Sequence, residues 1–418
     1  MRETQEYLNL DIAKKSIANT DQLTFEVTDM CNLNCTYCGY GDLYSDHDKR
    51  DNKMLSVKKA INLIDYMNDL WTSPYNHTYM KDVFISFYGG EPLLNMEFIS
   101  TIVDYIKNLK CQSRRFLFSM TTNAMLLDRY MDYLVSNNFN VLISLDGNKD
   151  NMGYRIDKSG NSSFDRITKN VDLLREKFPD YFDKYINFNA VLHNKNSVES
   201  IHSYFKEKYN KVPRIGELNN VGIREDKIED FNTTYRNLSE DLNQSEHYTE
   251  IMKDMSISLA TSKSITTYLM QYSNFVFRDY NELLYGKQTK ITIPTGTCMP
   301  FSKKVFMTVN GKILPCERIG HQFALGIVTD DSVEINFEYI VNKYNVYYTK
   351  IDKQCKLCYN RNTCIQCIFN LPDINEKRPI CHGYMNQKDF EAYQNAQISF
   401  LANNPEEYFR LMEDVIVV

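Results

Sequence analysis

Alternating apolar and polar positions divide the first half of the chain into short strands with helices between them. Residues 23–29 alternate and are rich in β-branched and aromatic side chains, which is typical of a strand. The same pattern predicts four more strands, over residues 82–88, 116–120, 141–145 and 186–192. Residues 125–137 instead have apolar side chains at helical spacing. Repeated strand-then-helix units predict a parallel sheet with right-handed crossovers.

These units indicate the fold class. Roughly six of them fit before residue 225, fewer than the eight of a closed (β/α) barrel. We therefore predict an α/β fold with a partial (β/α)6 TIM-like barrel over residues 23–225, preceded by an N-terminal extension over residues 1–22. The lateral opening of a partial barrel suits a large substrate such as a peptide.

The character of the chain changes after the barrel. Residues 248–284 are rich in Met, Tyr and Leu, and we assign residues 226–295 to a helical bridge in which these side chains are core. Alternating strands then flank Asn310-Gly311, the strongest short signal for a β-hairpin. Residues 296–418 are predicted to form a small cysteine-rich domain with this hairpin and a C-terminal helix.

Composition narrows the class of protein. The chain has 418 residues, of which 43% are hydrophobic, yet it contains no uninterrupted apolar run long enough to cross a bilayer. Its charged first residues lack the apolar segment of a signal peptide. The formal net charge of −6 argues against a nucleic-acid partner. We expect a cytoplasmic protein with neither a membrane nor a nucleic-acid partner.

The eleven cysteines are better explained as metal ligands than as disulfides, because the cytosol keeps thiols reduced. Ten fall into two groups, and Cys111 stands apart and is interpreted as structural. Cys31, Cys35 and Cys38 follow the first strand with C-x3-C-x2-C spacing. A [4Fe–4S] cluster takes one thiolate per iron, so three thiolates leave one iron open for a small molecule. The alternative is half of a zinc site completed by a distant histidine.

A second motif, Gly89-Gly90-Glu91-Pro92, directly follows the second strand. Two glycines allow a backbone to approach a ligand closely, and Glu91 can accept a hydrogen bond from an ammonium group. Alone, such a motif would usually be only a turn. It gains specificity because it lies about fifty residues after the cysteine loop.

Together the two motifs resemble those of the radical S-adenosylmethionine (SAM) enzymes. The resemblance implies that the open iron chelates the amino and carboxylate groups of SAM, and that residues 89–92 hold the amino group. A reduced cluster would then cleave SAM to a 5′-deoxyadenosyl radical, which abstracts hydrogen from a substrate. The resemblance also implies further SAM contacts: Thr121 and Asn123 toward the ribose, Arg155 toward the carboxylate, Tyr37 near the adenine, and Ser144 with Asp146 facing the same mouth. Strand-end Asn, Ser and Asp side chains can instead simply cap helices.

The second cysteine group lies in the last third of the chain. Its members are Cys298, Cys316, Cys355, Cys358, Cys364, Cys367 and Cys381. Paired C-x2-C runs suggest a zinc ribbon as the alternative, but seven ligands fit one zinc badly. The group resembles the SPASM extension of radical SAM enzymes, with Cys298, Gly311 and Cys316 matching its first part. It departs from the SPASM pattern in the gap between Cys364 and Cys367, which is two residues rather than three.

This second resemblance implies two auxiliary [4Fe–4S] clusters, three clusters in all, together with SAM. The inner cluster would be held by Cys298, Cys316 and Cys367, and completed by a substrate thiolate or a non-cysteine ligand. The outer cluster would be held by Cys355, Cys358, Cys364 and Cys381.

The resemblance to SPASM enzymes also implies a function. We expect a maturase that forms a thioether or carbon–carbon crosslink in a ribosomally made precursor peptide. Glu317 is a candidate proton acceptor because anaerobic sulfatase maturases carry an acidic residue after the hairpin cysteine, although it could be an ordinary surface glutamate. The alternatives are a sulfatase maturase that generates formylglycine, or a non-catalytic iron–sulfur or zinc protein.

The expected partners follow from the same interpretation. They are the precursor peptide and a flavodoxin- or ferredoxin-type reductant, in an anaerobic host. Only about twenty residues precede the first strand, too few for a winged-helix module that grips a leader peptide. We therefore expect either the barrel and bridge or a separate leader-recognition protein to present the precursor.

Overall fold

The structure is a computed structural model, and it describes residues 7–111, 113–255, 265–266, 268–269, 283–284, 293–371, 373–406 and 408–409. Its contacts divide the chain into two compact units. The barrel unit consists of Leu10–Tyr248 and Met299–Ile340. The cysteine-rich unit consists of Met1–Asn9, Thr249–Cys298 and Val341–Val418, as far as these segments are described.

One sheet organises the barrel unit. Its strands are β1 (Gln22–Thr28), β2 (Lys81–Gly89), β3 (Arg114–Thr122), β4 (Asn140–Ser144), β5 (Ile186–Val191), β6 (Arg214–Gly216), β7 (Val305–Met307), β8 (Lys312–Leu314), β9 (Gly326–Val328) and β10 (Val333–Ile335). They lie in the order β10-β9-β8-β7-β1-β2-β3-β4-β5-β6. Strands β1 to β6 pair in parallel, and β8 to β10 continue from β7 as antiparallel neighbours.

Twelve helices are described. They are α1 (Leu10–Ala18), α2 (Val57–Thr72), α3 (Met96–Asn108), α4 (Leu127–Ser136), α5 (Phe164–Lys177), α6 (Pro179–Tyr185), α7 (Val198–Tyr209), α8 (Ile228–Thr234), α9 (Leu238–Asn243), α10 (Tyr248–Met255), α11 (Phe337–Leu357) and α12 (Gln387–Asn403). Within the described ranges, no helix combines the length and apolarity that a membrane span requires.

Strand β1 lies in the interior of the sheet, and its sequence explains why. All but its first residue are buried, as expected for a parallel strand whose two faces are both covered. It pairs in parallel with β2 on one side and with β7 on the other. The predicted hairpin is confirmed as the antiparallel pair β7–β8, and its strands extend the same sheet as β1.

The crossover helices cover the sheet with one apolar face. Helix α2 buries Ala60, Leu63, Ile64, Met67 and Trp71, which recur every three or four residues. The side chain of Ser56 caps its first turn by accepting a hydrogen bond from the Lys59 amide. The amphipathic pattern of the sequence thus predicts which side of this helix packs on the sheet.

The predicted elements of the barrel are confirmed. The five strands inferred from alternation match β1 to β5 to within two residues, and the helix inferred over 125–137 is α4. Within the bridge, helices α8, α9 and α10 are among the described elements. Most of residues 256–292, where further bridge helices were expected, lie outside the described residues.

Candidate active site

The cysteine loop begins where β1 ends, at the carboxyl edge of the parallel sheet. The loop is folded by its own backbone, since the Cys38 amide donates to the Cys35 carbonyl at 3.1 Å and the Gly41 amide to the Cys38 carbonyl at 2.7 Å. Burial raises the pKa of the Cys31 thiol to about 11 and that of Cys35 to about 12. The three thiols therefore lie on one folded, partly buried loop.

Gly89 and Gly90 press directly against this loop. The Gly90 amide donates to the Thr28 carbonyl at 2.9 Å, and the Glu91 amide to the Met30 carbonyl at 2.8 Å. A Cβ atom on Gly90 would lie 1.9 Å from the Met30 oxygen, and one on Gly89 would lie 2.3 Å from the Thr28 oxygen. Gly89 also has a φ of +132°, which favours glycine. Only glycines permit this close approach between the two motifs.

Glu91 is fully buried and receives three hydrogen bonds. They come from the Thr122 hydroxyl at 2.6 Å, the Asn123 amide at 2.7 Å and the Leu93 amide at 3.0 Å. Burial raises the pKa of Glu91 to about 7, although these donors favour the ionised form. Pro92 begins the 3-10 turn that follows. In this structure Glu91 joins the end of β2 to the end of β3.

The other predicted SAM contacts lie at neighbouring strand ends. Asn123 donates to the Asn32 side chain at 2.7 Å, and its amide nitrogen is 3.7 Å from the sulfur of Cys31. Thr121 and Ser144 are half-buried near the ends of β3 and β4. The topology thus brings Asn123 beside the cysteine loop.

Asp146 is the centre of a buried polar network. Its carboxylate accepts from Arg155 at 3.0 Å, from the Val191 amide at 3.0 Å and from the Tyr37 hydroxyl. The Nε2 atom of His193 lies 3.8 Å from the same carboxylate. Burial alone would raise the pKa of Asp146, but Arg155, His193 and Tyr37 outweigh burial and lower it.

This network includes two residues expected at SAM. Tyr37 stacks on the His193 ring with centroids 5.6 Å apart, and the Arg155 guanidinium lies 5.4 Å from the Tyr37 ring centroid. Because Tyr37 lies between Cys35 and Cys38, the network anchors the cysteine loop to the ends of β4 and β5. The roles of Tyr37 and Arg155 toward SAM stay predictions.

Five further side chains form what we call the polar chamber: Tyr40, His47, Arg50, Tyr88 and Glu317. The Tyr40 ring stacks on His47 at 5.7 Å, lies 6.3 Å from the Tyr88 ring and has the Arg50 guanidinium 4.3 Å from its centroid. Burial is the largest cause that raises the pKa of Tyr88, and the charges of Glu317 and Cys38 raise it further. The chamber therefore lies between the cysteine loop and the segment that follows the hairpin.

Several polar atoms of the chamber are buried without a protein hydrogen-bond partner. Over the described ranges, these are the Tyr40 hydroxyl, both ring nitrogens of His47 and one terminal nitrogen of Arg50. Unpaired buried polar groups are costly, so they indicate a site that takes water or a polar ligand. Tyr40, His47 and Arg50 were not predicted from the sequence, although Tyr40 lies only two residues after a predicted ligand.

Glu317 is a half-buried member of this chamber. Its carboxylate accepts from Lys304 at 2.7 Å and lies 3.7 Å from the sulfur of Cys316. Burial opposes ionisation, but Lys304 outweighs it and lowers the pKa of Glu317. Glu317 is thus a half-buried carboxylate that is paired with Lys304.

The four cysteines expected at the outer cluster lie together in the cysteine-rich unit. Cys355, Cys358, Cys364 and Cys381 line one small cavity, which Arg361 also lines. Burial is the largest cause that raises the pKa of Cys355 to about 12, and the charges of the other three thiols also raise it. The donor set of this cavity therefore consists of four soft thiols, which suit an iron–sulfur cluster.

The three cysteines expected at the inner cluster are divided between the units. Cys298 and Cys367 belong to the cysteine-rich unit, and Cys316 belongs to the barrel unit. Burial raises the pKa of Cys367, nearby backbone hydrogen bonds oppose that rise, and the charge of Cys298 adds to it. Cys111, interpreted as structural, lies before β3 at the opposite end of that strand from the cysteine loop, 3.5 Å from the Ser113 hydroxyl.

Comparison with known proteins identifies the barrel. Residues 25–207 match the model of the radical SAM superfamily. The chain carries a radical SAM domain. Similar proteins include a radical SAM cyclopropyl synthase and cysteine-type anaerobic sulfatase-maturating enzymes.

Three similar proteins illustrate the relationship. The chain is 32% identical over 178 residues to radical SAM cyclopropyl synthase TigE of Paramaledivibacter caminithermalis. This match covers 40% of this chain and 34% of TigE. It is 24% identical over 402 residues to the cysteine-type anaerobic sulfatase-maturating enzyme of Clostridium perfringens strain 13, covering 90% of this chain and 96% of that enzyme. The solved structure of native anSMEcpe with bound AdoMet has the same fold, with a TM-score of 0.57 at 17% identity, over 94% of this chain and 98% of that one.

The matches differ in extent. The chain spans 34% to 48% of the length of the first curated relatives, TigE among them. The reaction of the whole protein is therefore a matter for proposal.

The residues of the radical SAM site fit a [4Fe–4S] cluster with SAM. Three thiols are on one loop, two glycines hold that loop against the next strand end, and Asn123 lies beside Cys31. A cluster distributes its thiolates over separate irons, whereas a single metal ion needs converging ligands. Across the part of the chain that the structure describes, no three His, Cys, Asp or Glu side chains converge on a single-ion site.

Proposed function

We propose that this radical SAM enzyme is a maturase of peptides or proteins, and that the polar chamber receives the substrate side chain. The observation that carries the proposal is Glu317, a half-buried carboxylate whose oxygen lies 3.7 Å from the sulfur of Cys316 and whose charge raises the pKa of Tyr40 and of Tyr88. A carboxylate in this position can take a proton from a substrate group in the chamber. A purely electron-transferring protein would need neither the residues that fit SAM nor such a base.

The residues have distinct proposed roles. Cys31, Cys35 and Cys38 would hold the first cluster, and residues 89–92 with Asn123 would line the SAM site. When bound and reduced, the cluster and SAM supply a 5′-deoxyadenosyl radical that removes a hydrogen atom. Lys304 holds Glu317 ionised, so that Glu317 is ready to accept a proton.

We propose crosslinking of a ribosomally made peptide as the reaction. Forming a thioether removes two hydrogens from the peptide. One leaves as an atom to the adenosyl group, the other leaves as a thiol proton to Glu317, and one electron passes to an iron–sulfur acceptor. The seven C-terminal cysteines are the proposed ligands of two auxiliary clusters that could serve as that acceptor. The precursor, a leader-recognition protein and a flavodoxin- or ferredoxin-type reductant are the proposed partners.

Formylglycine generation is the second candidate. It is favoured by the similarity to the cysteine-type anaerobic sulfatase-maturating enzyme of Clostridium perfringens, which extends over 90% of this chain. The acidic residue after the hairpin cysteine agrees with either reaction. Only the product distinguishes the two candidates.

Mass spectrometry of anaerobic reactions tests both candidates. Reconstituted protein, SAM and reductant would be incubated with cysteine-containing peptides encoded beside the gene and with a sulfatase-derived peptide. Loss of two hydrogens that survives thiol alkylation supports crosslinking, whereas an aldehyde that reacts with a hydrazide and has lost sulfur supports formylglycine. We expect Glu317→Gln to abolish either product while 5′-deoxyadenosine still accumulates. Unchanged product yield in Glu317→Gln would contradict its role as a base.

A further inference from the structure

Exposed apolar side chains surround the cavity of the four outer cysteines. We call them the outer patch, and they are Leu357, Tyr359, Ile365, Ile380 and Tyr384. Each of the first four is the sequence neighbour of a cysteine that lines the cavity, and the fifth lines the cavity itself. Ile365 is 79% exposed, Leu357 68% and Ile380 62%. The cysteine site therefore lies directly beneath apolar surface.

The outer patch is continuous, because separate segments of the cysteine-rich unit meet there. The Tyr384 hydroxyl donates to the Leu357 carbonyl at 3.4 Å, and the Tyr359 amide donates to the Met385 carbonyl at 3.0 Å. Cysteines from both of these segments line the same cavity as Cys364. Residues next to these cysteines are thus neighbours in space as well.

The composition and size of the outer patch suit a transient protein partner. Contiguous exposed apolar side chains next to a functional site mark an interaction surface. A stable dimer needs roughly 20–30 residues on each side, whereas electron-transfer complexes form through small interfaces. Five side chains above a cysteine cavity match the second class.

The charge around the outer patch favours an acidic partner. Residues 350–384 contain six Lys and Arg side chains and three Asp and Glu side chains, whereas the whole chain has a formal net charge of −6. Lys353, Lys377 and Arg378 are exposed. Complementary charge steers a partner to one surface and raises the rate of association. This local excess of positive charge would direct an acidic protein to the patch.

We propose that the outer patch is the docking surface of a small acidic electron-transfer protein, which exchanges electrons with a cluster held by the outer cysteines. The inference rests on the proposed function, because it takes these cysteines as ligands of an auxiliary cluster. In the proposed crosslinking, one electron passes from the peptide to an iron–sulfur acceptor. The docked partner, in its oxidised form, receives that electron through the outer site, and no bond forms or breaks in this transfer.

Stopped-flow mixing tests the proposal. Full-length reconstituted protein, reduced and freed of excess reductant, would be mixed anaerobically with oxidised flavodoxin, an acidic carrier whose semiquinone is followed by absorbance. We expect the second-order rate constant of semiquinone formation to fall as salt is added. Ile365→Glu combined with Ile380→Glu should lower this rate constant at least about tenfold, because it removes apolar contact and repels an acidic partner.

Ile398→Glu is the matched control. Ile398 is also exposed and apolar, and it lies on α12 of the same unit with no cysteine beside it in the sequence. Its rate constant should equal that of the parent. Lys377→Glu combined with Arg378→Glu guards against loss of iron in the isoleucine variant, since it changes no neighbour of a cysteine. This charge reversal should slow the transfer and weaken its dependence on salt.

Iron and sulfide content would be matched before the rates are compared. Parent-like rate constants in both double variants would overturn the proposal. A dimer in sedimentation that Ile365→Glu with Ile380→Glu converts to a monomer would also overturn it, by assigning the patch to a second copy of the chain. If the parent holds no labile sulfide, the clusters of the proposed function fail and this inference fails with them. If the parent holds clusters and the variants are silent, this inference alone fails.

Discussion

At the scale of single residues, the radical SAM site depends on a glycine, which has no side chain, as much as on its reactive side chains. The carbonyl of Met30 occupies the space in which a Cβ of residue 90 would lie. The two motifs can therefore be in contact only if residue 90 is glycine.

Gly90→Ala should disrupt this contact. A Cβ 1.9 Å from the Met30 oxygen must displace the backbone of the cysteine loop, at a cost of about 1–3 kcal/mol. We expect lower iron content on the loop and SAM binding weakened at least roughly tenfold. Gly39→Ala is the matched control, since nothing lies within 4 Å of its Cβ position. Equal SAM affinity in the two variants would contradict the prediction.

Glu91 gives stability a dependence on pH. Its pKa is raised from 4.5 to about 7, so between these values the folded protein holds a proton that the unfolded chain releases. The bound proton of Glu91 therefore contributes fully to the free energy of unfolding below pH 4.5. This contribution is lost as pH rises through 7. Relative to Glu91→Gln, the free energy of unfolding should fall by about 3 kcal/mol across this range.

Denaturant unfolding at a series of pH values measures this difference. Glu97→Gln, at an exposed glutamate in the first turn of α3, is the control and should follow the parent. Curves for Glu91→Gln and the parent that stay parallel from pH 4.5 to 8 would refute the raised pKa.

At the scale of elements, Asp146 holds together the cysteine loop, the residues after β4 and the end of β5. It does so through Tyr37, Arg155 and the Val191 amide, all inside the barrel unit. Because these partners are buried, the removal of one leaves another without compensation.

Asp146→Ala should be strongly destabilising. The buried guanidinium of Arg155 would lose its carboxylate, which costs about 3–5 kcal/mol. Asp146→Ala combined with Arg155→Met should recover part of the loss. Asp82→Ala, which breaks the exposed pair with Arg115, should have no measurable effect on unfolding. Equal destabilisation by Asp146→Ala and Asp82→Ala would show that the network contributes nothing specific.

The hairpin that leads to Cys316 depends on Gly311. Its φ is +86°, and a Cβ there would lie 2.2 Å from the Val328 carbonyl oxygen. Gly311→Ala should therefore destabilise β7 to β9 by about 1–3 kcal/mol. Hydrogen exchange over these strands should accelerate. In Gly216→Ala, whose Cβ position is open, exchange over the same strands should match the parent.

At the scale of the whole molecule, the proposal of three clusters predicts an iron count. Fully reconstituted protein should hold about twelve irons with equal labile sulfide. Changing Cys31, Cys35 and Cys38 to Ala should leave about eight, and changing Cys355 and Cys358 should independently remove about four. Cys111→Ser should leave the count unchanged. Zinc without labile sulfide would refute the iron–sulfur assignment.

The predictable part of the fold is the part that local patterns encode. The alternation of apolar and polar residues predicted β1 to β5, and Asn310-Gly311 predicted the hairpin, because each signal is complete within a few residues. That β7 pairs in parallel with β1 was not apparent, because the two strands lie almost three hundred residues apart and no local pattern states which edge a hairpin joins.

The same distinction holds for the candidate site. The sequence by itself determined the radical SAM domain, since cysteine spacing and the Gly-Gly-Glu-Pro run are local and carry their chemistry in the residue types. Only the tertiary structure decided that Glu91 bonds Asn123, that Asp146 bonds Tyr37, and that Tyr40 stacks on His47. The physical reason is that side chains distant in sequence become partners only where folding brings strand ends together at one edge and removes them from water.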